Sequence, residues 1–255
     1  MSHDHIGVPR FIENGFSINK KVYCYNLKIN KCFKTSTDRL GTKKDYFSKE
    51  VETDLLANGI ESDFTDFYKL FCETTDDDEK VNILNSNKEL VTQFISFMFF
   101  RSINSLNLAN ENCLSSKIIG EMDHSEFLKI SSIIKLNPLK MIGDNYKFYP
   151  IINLSEIHFI NNSIGLGIQQ QLDKCFSFYI PLNIKVGILV SNSKIFENID
   201  RIYIKSNDFA DKLNKSICFT EKEIGNGFIF GENEVTLLPY IDIIKKLTEC
   251  QTNNI

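Results

Sequence analysis

The chain has four histidines, His3, His5, His124 and His158, and they are the first candidates for acid–base or metal chemistry. His3-Asp4-His5 groups two imidazoles with a carboxylate, and both group types ligate zinc or iron. No H-E-x-x-H helix and no cysteine cluster completes a shell around them, so the sequence specifies no metal site. The seven cysteines (Cys24, Cys32, Cys72, Cys113, Cys175, Cys218 and Cys250) lack the short spacing of a zinc knuckle or redox loop. Most stand in aromatic or aliphatic runs, where a thiol behaves as a small core hydrophobe. Gly165-Leu166-Gly167 has two glycines of a dinucleotide loop but not the third, and reads as a turn between strands. Asp76-Asp77-Asp78-Glu79 lacks the alternation, central glycine and closing glutamate of a calcium loop. It reads as an exposed turn or a helix start, where acidic side chains complement the dipole. A phosphate-binding G-x-x-x-x-G-K-[ST] loop and a G-x-S-x-G nucleophile elbow are both absent. No cofactor is specified.

Any site must be positioned by the elements around it. Alternation over 21–27 and 32–35, with a turn at 28–31, predicts a hairpin within 20–36. Over 49–72 the positions Val51, Leu55, Leu56, Ile60, Phe64, Phe67, Tyr68 and Phe71 make one apolar helical stripe, with Gly59 able to kink or split it. Residues 90–106 are apolar around most of a helix circumference, which predicts a central core helix. Another helix is expected over 124–140, its last turn disturbed by Pro138. From 145 onward the pattern changes to short strands at 146–153, 156–160, 175–181, 185–190, 199–204 and 228–230, with helices at 207–219 and 235–247. The expected class is α+β: an opening hairpin, a helical middle with a buried central helix (49–140), and a strand-rich C-terminal half (145–250). No Pro-, Gly- or Ser-rich linker divides the 255 residues, so one domain is expected over 1–255.

Composition narrows the class further. Hydrophobic residues make up 42% and charged residues 24%, values that exclude disorder of the whole chain. Basic and acidic residues number 29 and 33, a net charge of −4, which argues against a generally basic nucleic-acid coat. The pairs Lys20-Lys21, Lys43-Lys44 and Lys245-Lys246 read as solvated faces. The N-terminus lacks the basic-then-apolar order of a signal peptide, and the greasiest stretch, 90–100, covers only about half of a bilayer core. A reduced, cytoplasmic location without membrane association is expected.

The most specific signal is the opening His5-Ile6-Gly7-Val8-Pro9-Arg10-Phe11, followed by Asn14-Gly15-Phe16-Ser17. Further segments are Val22-Tyr23-Cys24-Tyr25, Lys44-Asp45-Tyr46-Phe47, the spaced acids Glu52 and Glu61, and Phe94-Ile95-Ser96-Phe97-Met98-Phe99-Phe100-Arg101. Tyr179-Ile180-Pro181-Leu182-Asn183 and Asn214 come later. In this order they resemble the H-Y-V-P-[RQK]-F…N-F opening, the V-Y-V-Y strand, the D-F-Y segment, the glutamates and the F-I-[AS]-x-Q-x-x-R helix of domain-of-unknown-function family 4238, which is widespread in bacteria. The later segments resemble its strand ending in P-L and an asparagine of a late helix. Where the family shows a strand ending in S-D-N-P, this chain has Phe159-Ile160-Asn161-Asn162-Ser163-Ile164. An asparagine keeps hydrogen-bonding capacity there but cannot titrate.

The resemblance implies a site and leaves its reaction open. In an enzymatic reading, His5 is the general acid or base, Glu61 orients it or accepts a proton, and Asn162 joins them from the strand-rich half. Arg10 and Arg101 bind a phosphate or carboxylate, with Asn214 also on the substrate side. Such a set suits a hydrolase or transferase acting on a phosphorylated substrate, a nucleotide or nucleic acid, in bacterial defence or toxicity. The alternative is a non-catalytic binding or regulatory module that keeps the fold without the acid, with a protein partner or a second copy of the chain. The opening could also be purely structural: Pro9 biases Val8 toward an extended conformation, Phe11 and Phe16 pin the segment to the core, and Arg101 satisfies helix-end carbonyls. Whether a pocket joins the opening to Asn162 discriminates among these.

Overall fold

A computed structural model describes residues 3–5, 7–44, 59–102, 139, 145–173 and 175–252. Strand β1 (His3–His5) pairs antiparallel with β4 (Thr42–Lys44), and a short helix α1 (Arg10–Asn14) follows β1. Between them lies the hairpin of β2 (Lys21–Asn26) and β3 (Lys31–Ser36), in register from Lys21↔Ser36 to Asn26↔Lys31. Its turn is closed locally. The Asn26 Oδ1 accepts from the backbone N–H groups of Lys28 and Ile29 (3.0 and 3.2 Å), and the Tyr25 hydroxyl donates to Asn30 Oδ1 at 2.7 Å. Val22 and Cys24 point into the core, as the alternation requires.

The helical middle comprises α2 (Glu61–Glu73), α3 (Asp77–Ser86) and α4 (Lys88–Arg101). Phe64, Phe67 and Phe71 of the expected stripe are buried on α2, while 49–58 lie outside the described residues. The acidic run starts α3: Asp76 is its N-cap and accepts from the Glu79 N–H at 2.9 Å. Helix α4 buries Val91, Phe94, Ile95, Phe97 and Met98, which exceeds a single stripe, and Phe94 stacks on Phe64 with ring centroids 3.6 Å apart. It ends at Arg101, where the expectation ran to 106: Ser102 is extended, and 103–106 are outside the described residues. The helix expected over 124–140 also lies outside them, apart from the buried Leu139.

The C-terminal half carries a five-stranded sheet of order β10-β5-β9-β8-β7. Its strands are β5 (Lys147–Asn153), β7 (Gly167–Gln170), β8 (Phe176–Pro181), β9 (Val186–Ser191) and β10 (Ile202–Ile204), antiparallel except for the parallel β10–β5 pair. A four-stranded sheet of order β3-β2-β11-β6 joins the opening hairpin to β6 (Asn161–Asn162) and β11 (Phe228–Gly231). Helices α5 (Asn207–Ile224) and α6 (Glu234–Thr252) complete an α+β fold. Three local expectations change. Residues 156–160 form no strand, because side chains of Asn153, Asn207 and Asn214 take most of their backbone bonds. The glycine segment is a turn only as far as Leu166, and β7 starts at Gly167. Helix α5 continues past 219 to Ile224.

The buried apolar side chains form one cluster drawn from both sheets and their helices. Cys24, Cys32, Cys72, Cys175 and Cys218 are free thiols. Among the described residues, no helix is long and apolar enough to cross a membrane.

Candidate functional site

The opening segment folds into its site through Pro9. Its extended backbone (φ −54°, ψ 141°) lets its carbonyl accept from Ile12 and Glu13, so one short turn of α1 turns Arg10 outward and Ile12 and Glu13 inward. Glu13 is fully buried. Burial drives its carboxyl well above the ordinary carboxylate range, opposed by the positive charges of Arg10 and Arg101. Arg101, the last residue of α4, is 1% exposed and forms an ion pair with Glu61, the first residue of α2. Its guanidinium also lies over the Phe97 ring, 5.4 Å from the centroid. On the solvent side Arg10 pairs with Asp38 at 3.3 Å. Thus α2 and α4 meet in the Glu61–Arg101 pair, and α1 buries Glu13 within electrostatic reach of that guanidinium, with a second guanidinium at the surface.

A second polar cluster follows β6. The Asn162 amide donates to the carbonyls of Leu166 (2.7 Å) and Ile217 (3.0 Å) and accepts from the N–H groups of Ile164 and Leu166 (3.2 Å each). Both donors and both lone pairs are used, so the side chain closes the turn and retains no capacity for a substrate. Asn214 is likewise engaged: it accepts from Ile160 N–H (3.0 Å) and donates to the His158 carbonyl (2.9 Å) and the Tyr240 hydroxyl (3.0 Å). Beside this turn, Glu221 of α5 is buried. Its carboxylate accepts from the Ser163 N–H (2.9 Å), the Ser163 hydroxyl (2.6 Å), the Phe228 N–H (2.8 Å) and the Gly227 N–H. Burial raises its pKa to about 7 against the pull of these donors. Residue 225 must be glycine, because a Cβ there would collide with the Glu221 carboxylate.

The two clusters meet at the opening. A Cβ on Gly7 would lie 3.1 Å from the Phe228 ring and 3.5 Å from the Ser163 carbonyl, and one on Gly165 would lie 3.2 Å from Val8. The Ser102 hydroxyl donates to the Ile224 carbonyl, tying the end of α4 to the end of α5. The joint between the opening and the Asn162 turn is therefore apolar packing. A described surface groove has a different lining of Asn198, Ile199, Asp200, Arg201 and Tyr203.

Of the expected site residues, Glu61 pairs with Arg101, and Arg10 and Arg101 lie within electrostatic reach of Glu13. Asn162 and Asn214 belong to the second cluster, and His5 ends β1 opposite Thr42. Glu13 and Glu221 are additions that the motifs do not single out. Their signal is nonetheless present: Glu13 stands between Ile12 and Phe16, and Glu221 continues the buried α5 series Leu213, Asn214, Ile217, Cys218. His158 is oriented by Glu232, with Nδ1 2.5 Å from Oε2.

An ionic cluster under the His5–Phe16 opening, closed by Glu61 and by the helix ending at Arg101, defines a class by the segments that build it. Over residues 5–135 the sequence matches the family described as Protein of unknown function (DUF4238), and the chain belongs to that family. No curated protein and no solved structure matches it.

Proposed function

We propose that the chain is a hydrolase or transferase acting on a phosphorylated substrate, with its reacting centre at Glu13, Glu61 and Arg101. The observation that carries this reading is the buried charge itself. Ionised groups cost several kcal/mol each to take out of water, and an apolar replacement is often as stable. Yet three segments distant in sequence each place an ionisable group here. Glu13, whose carboxyl burial pushes well above the ordinary carboxylate range, supplies a general acid, Arg101 and Arg10 supply the anion-binding cations, and Glu61 orients Arg101. His5 stands as the partner base two residues before Gly7. The free thiols agree with a cytoplasmic setting, and a role in bacterial defence or toxicity is part of the same proposal.

The test is turnover of a panel of mononucleotides, an aryl phosphate and single-stranded RNA and DNA, with and without divalent metal. Glu13→Gln, isosteric with the protonated acid, should reduce any rate found by about 10²–10⁴-fold while leaving Tm unchanged. Activity that survives this change moves the chemistry elsewhere. One observation favours the second reading, a binding or regulatory module: the Asn162 amide is spent on the backbone. A ligand from the panel that raises Tm without being turned over would establish it.

A further inference from the structure

Between Glu13 and Asp38 the sequence contains no acidic residue, while Lys20, Lys21, Lys28, Lys31 and Lys34 all fall in that interval. In a chain of net charge −4 this is a local reversal of sign. The β2–β3 hairpin occupies most of the interval, and all five lysines are exposed. Register sorts them by face. Lys21, Tyr23 and Tyr25 share the outer face of β2, and Lys34 lies opposite Tyr23 on the same face. The Lys34 ammonium sits over the Tyr23 ring, 5.4 Å from its centroid. Lys245 of α6 adds a cation over Tyr25 at 5.7 Å, with the exposed Lys246 beside it in sequence. Lys21, Lys34 and Lys245, dispersed along the chain, thus belong to one surface. Opposing them, the Glu234 carboxylate lies within electrostatic reach of the hairpin's outer face, at Cys32.

Lysines on an edge strand also discourage sheet-to-sheet association, and β3 is an edge. That explains Lys31 and Lys34. It does not explain Lys21 on the adjoining strand, nor Lys245 of α6.

We propose that the outer face of the β2–β3 hairpin, together with Lys245, is a docking surface for single-stranded nucleic acid. Tyr25 is buried, so the ring on offer is the half-buried Tyr23, and cations grouped around an aromatic ring suit a flexible polyanion whose bases offer π faces. A six-residue strand spans about 20 Å, room for several consecutive phosphates. The proposal deepens the phosphorylated-substrate reading above by naming a polymer.

The experiment is fluorescence anisotropy of a labelled single-stranded oligonucleotide with the full chain, titrated over salt. Lys21→Ala/Lys34→Ala should bind about 25-fold more weakly at about 0.1 M salt, and its log–log salt slope should be shallower by about 1.4, at about 0.7 for each phosphate no longer neutralised. Tyr23→Ala should weaken binding about 5- to 100-fold through the missing stacking platform. The lysine variant should keep its far-ultraviolet circular dichroism and Tm, because its altered side chains are exposed. Equal affinity of wild type and the lysine variant would overturn the proposal. So would an absence of wild-type binding at low salt, or preferential binding to phosphatidylserine vesicles. Glu13→Gln should bind the oligonucleotide as wild type does, and the lysine variant should still process a mononucleotide. Failure of the docking surface and failure of the acid site are thereby read separately.

Discussion

Asn162→Asp is the sharpest perturbation of the second cluster. The change is nearly isosteric and keeps Oδ1, so the Ile164 and Leu166 N–H groups retain their acceptor. What disappears is Nδ2, which serves the carbonyls of Leu166 and Ile217 inside a fully buried site. The Leu166 carbonyl left without a donor costs about 1–3 kcal/mol, while the Ile217 carbonyl, inside α5, loses one of two partners. An ionised carboxylate facing two carbonyl oxygens is worse still, so the new acid should hold its proton to a raised pKa. Its proton then restores one of the two bonds. The sign follows: the folded-state pKa of the new Asp lies above its unfolded value, so the variant loses stability relative to wild type as pH rises through the folded pKa. Thermal melts at several pH values read this directly. The expected deficit is about 2–12 °C in Tm near pH 8, shrinking toward pH 5. A variant melting within about 1 °C of wild type at pH 8 would show that the amide does not close this turn. Gain of activity by Asn162→Asp would refute the structural role just as firmly.

Other outcomes follow from the same geometry. Arg101→Ala should destabilise the fold by about 3–5 kcal/mol by urea titration, since it strips the countercharge from Glu61 at a site where the arginine is fully buried; a negligible shift in midpoint would mean that the pair is solvated. Glu221, with its pKa raised from 4.5 to about 7, contributes stability that is complete below about pH 4.5 and lost as pH rises through about 7, worth roughly 3 kcal/mol. Glu221→Gln should therefore flatten the decline in stability across that window, whereas Glu13, shifted in the same direction, leaves a residual slope in the variant. Phe94→Ala removes the ring stacked on Phe64 and should cost about 3–5 kcal/mol; an unmoved melting curve would make α4 a surface helix.

The parts legible in the sequence are those whose local pattern and tertiary burial agree. The hairpin alternates, its asparagines close its turn, and β2 and β3 fall within a residue or two of their expected bounds. Helix α4 is apolar over most of its surface, and it is buried accordingly. Strands β6 and β7 escaped because asparagine, glycine and glutamine carry no β signal; they are strands because partners already in place offer them hydrogen bonds. The candidate site was half legible for a related reason. Arg10, Glu61 and Arg101 stand in recognisable segments, whereas Glu13 and Glu221 become special only through burial, which no local spacing encodes for an isolated carboxylate. Asn162 was visible as a departure from the family pattern, but its four backbone bonds appear only once Ile217 of α5 is folded against it.

The pairing of β2 with β11 sets a timetable for synthesis. Strand β3 follows β2 within a few residues, but the strand that covers the other edge of β2 is encoded about 200 residues later, roughly 10–40 s at ordinary elongation rates. During that interval the nascent chain presents Val22, Cys24 and an open row of backbone N–H and C=O groups, with only the lysines of the hairpin to discourage sticking. The stretch matching the family ends at residue 135, before β6 and β11 have been made. A fragment cut at that border would keep α4 and the hairpin but leave Ser102 without Ile224 and β2 without its neighbour. Such a fragment should emerge as aggregate, and co-expressing the remainder of the chain is the natural way to rescue it.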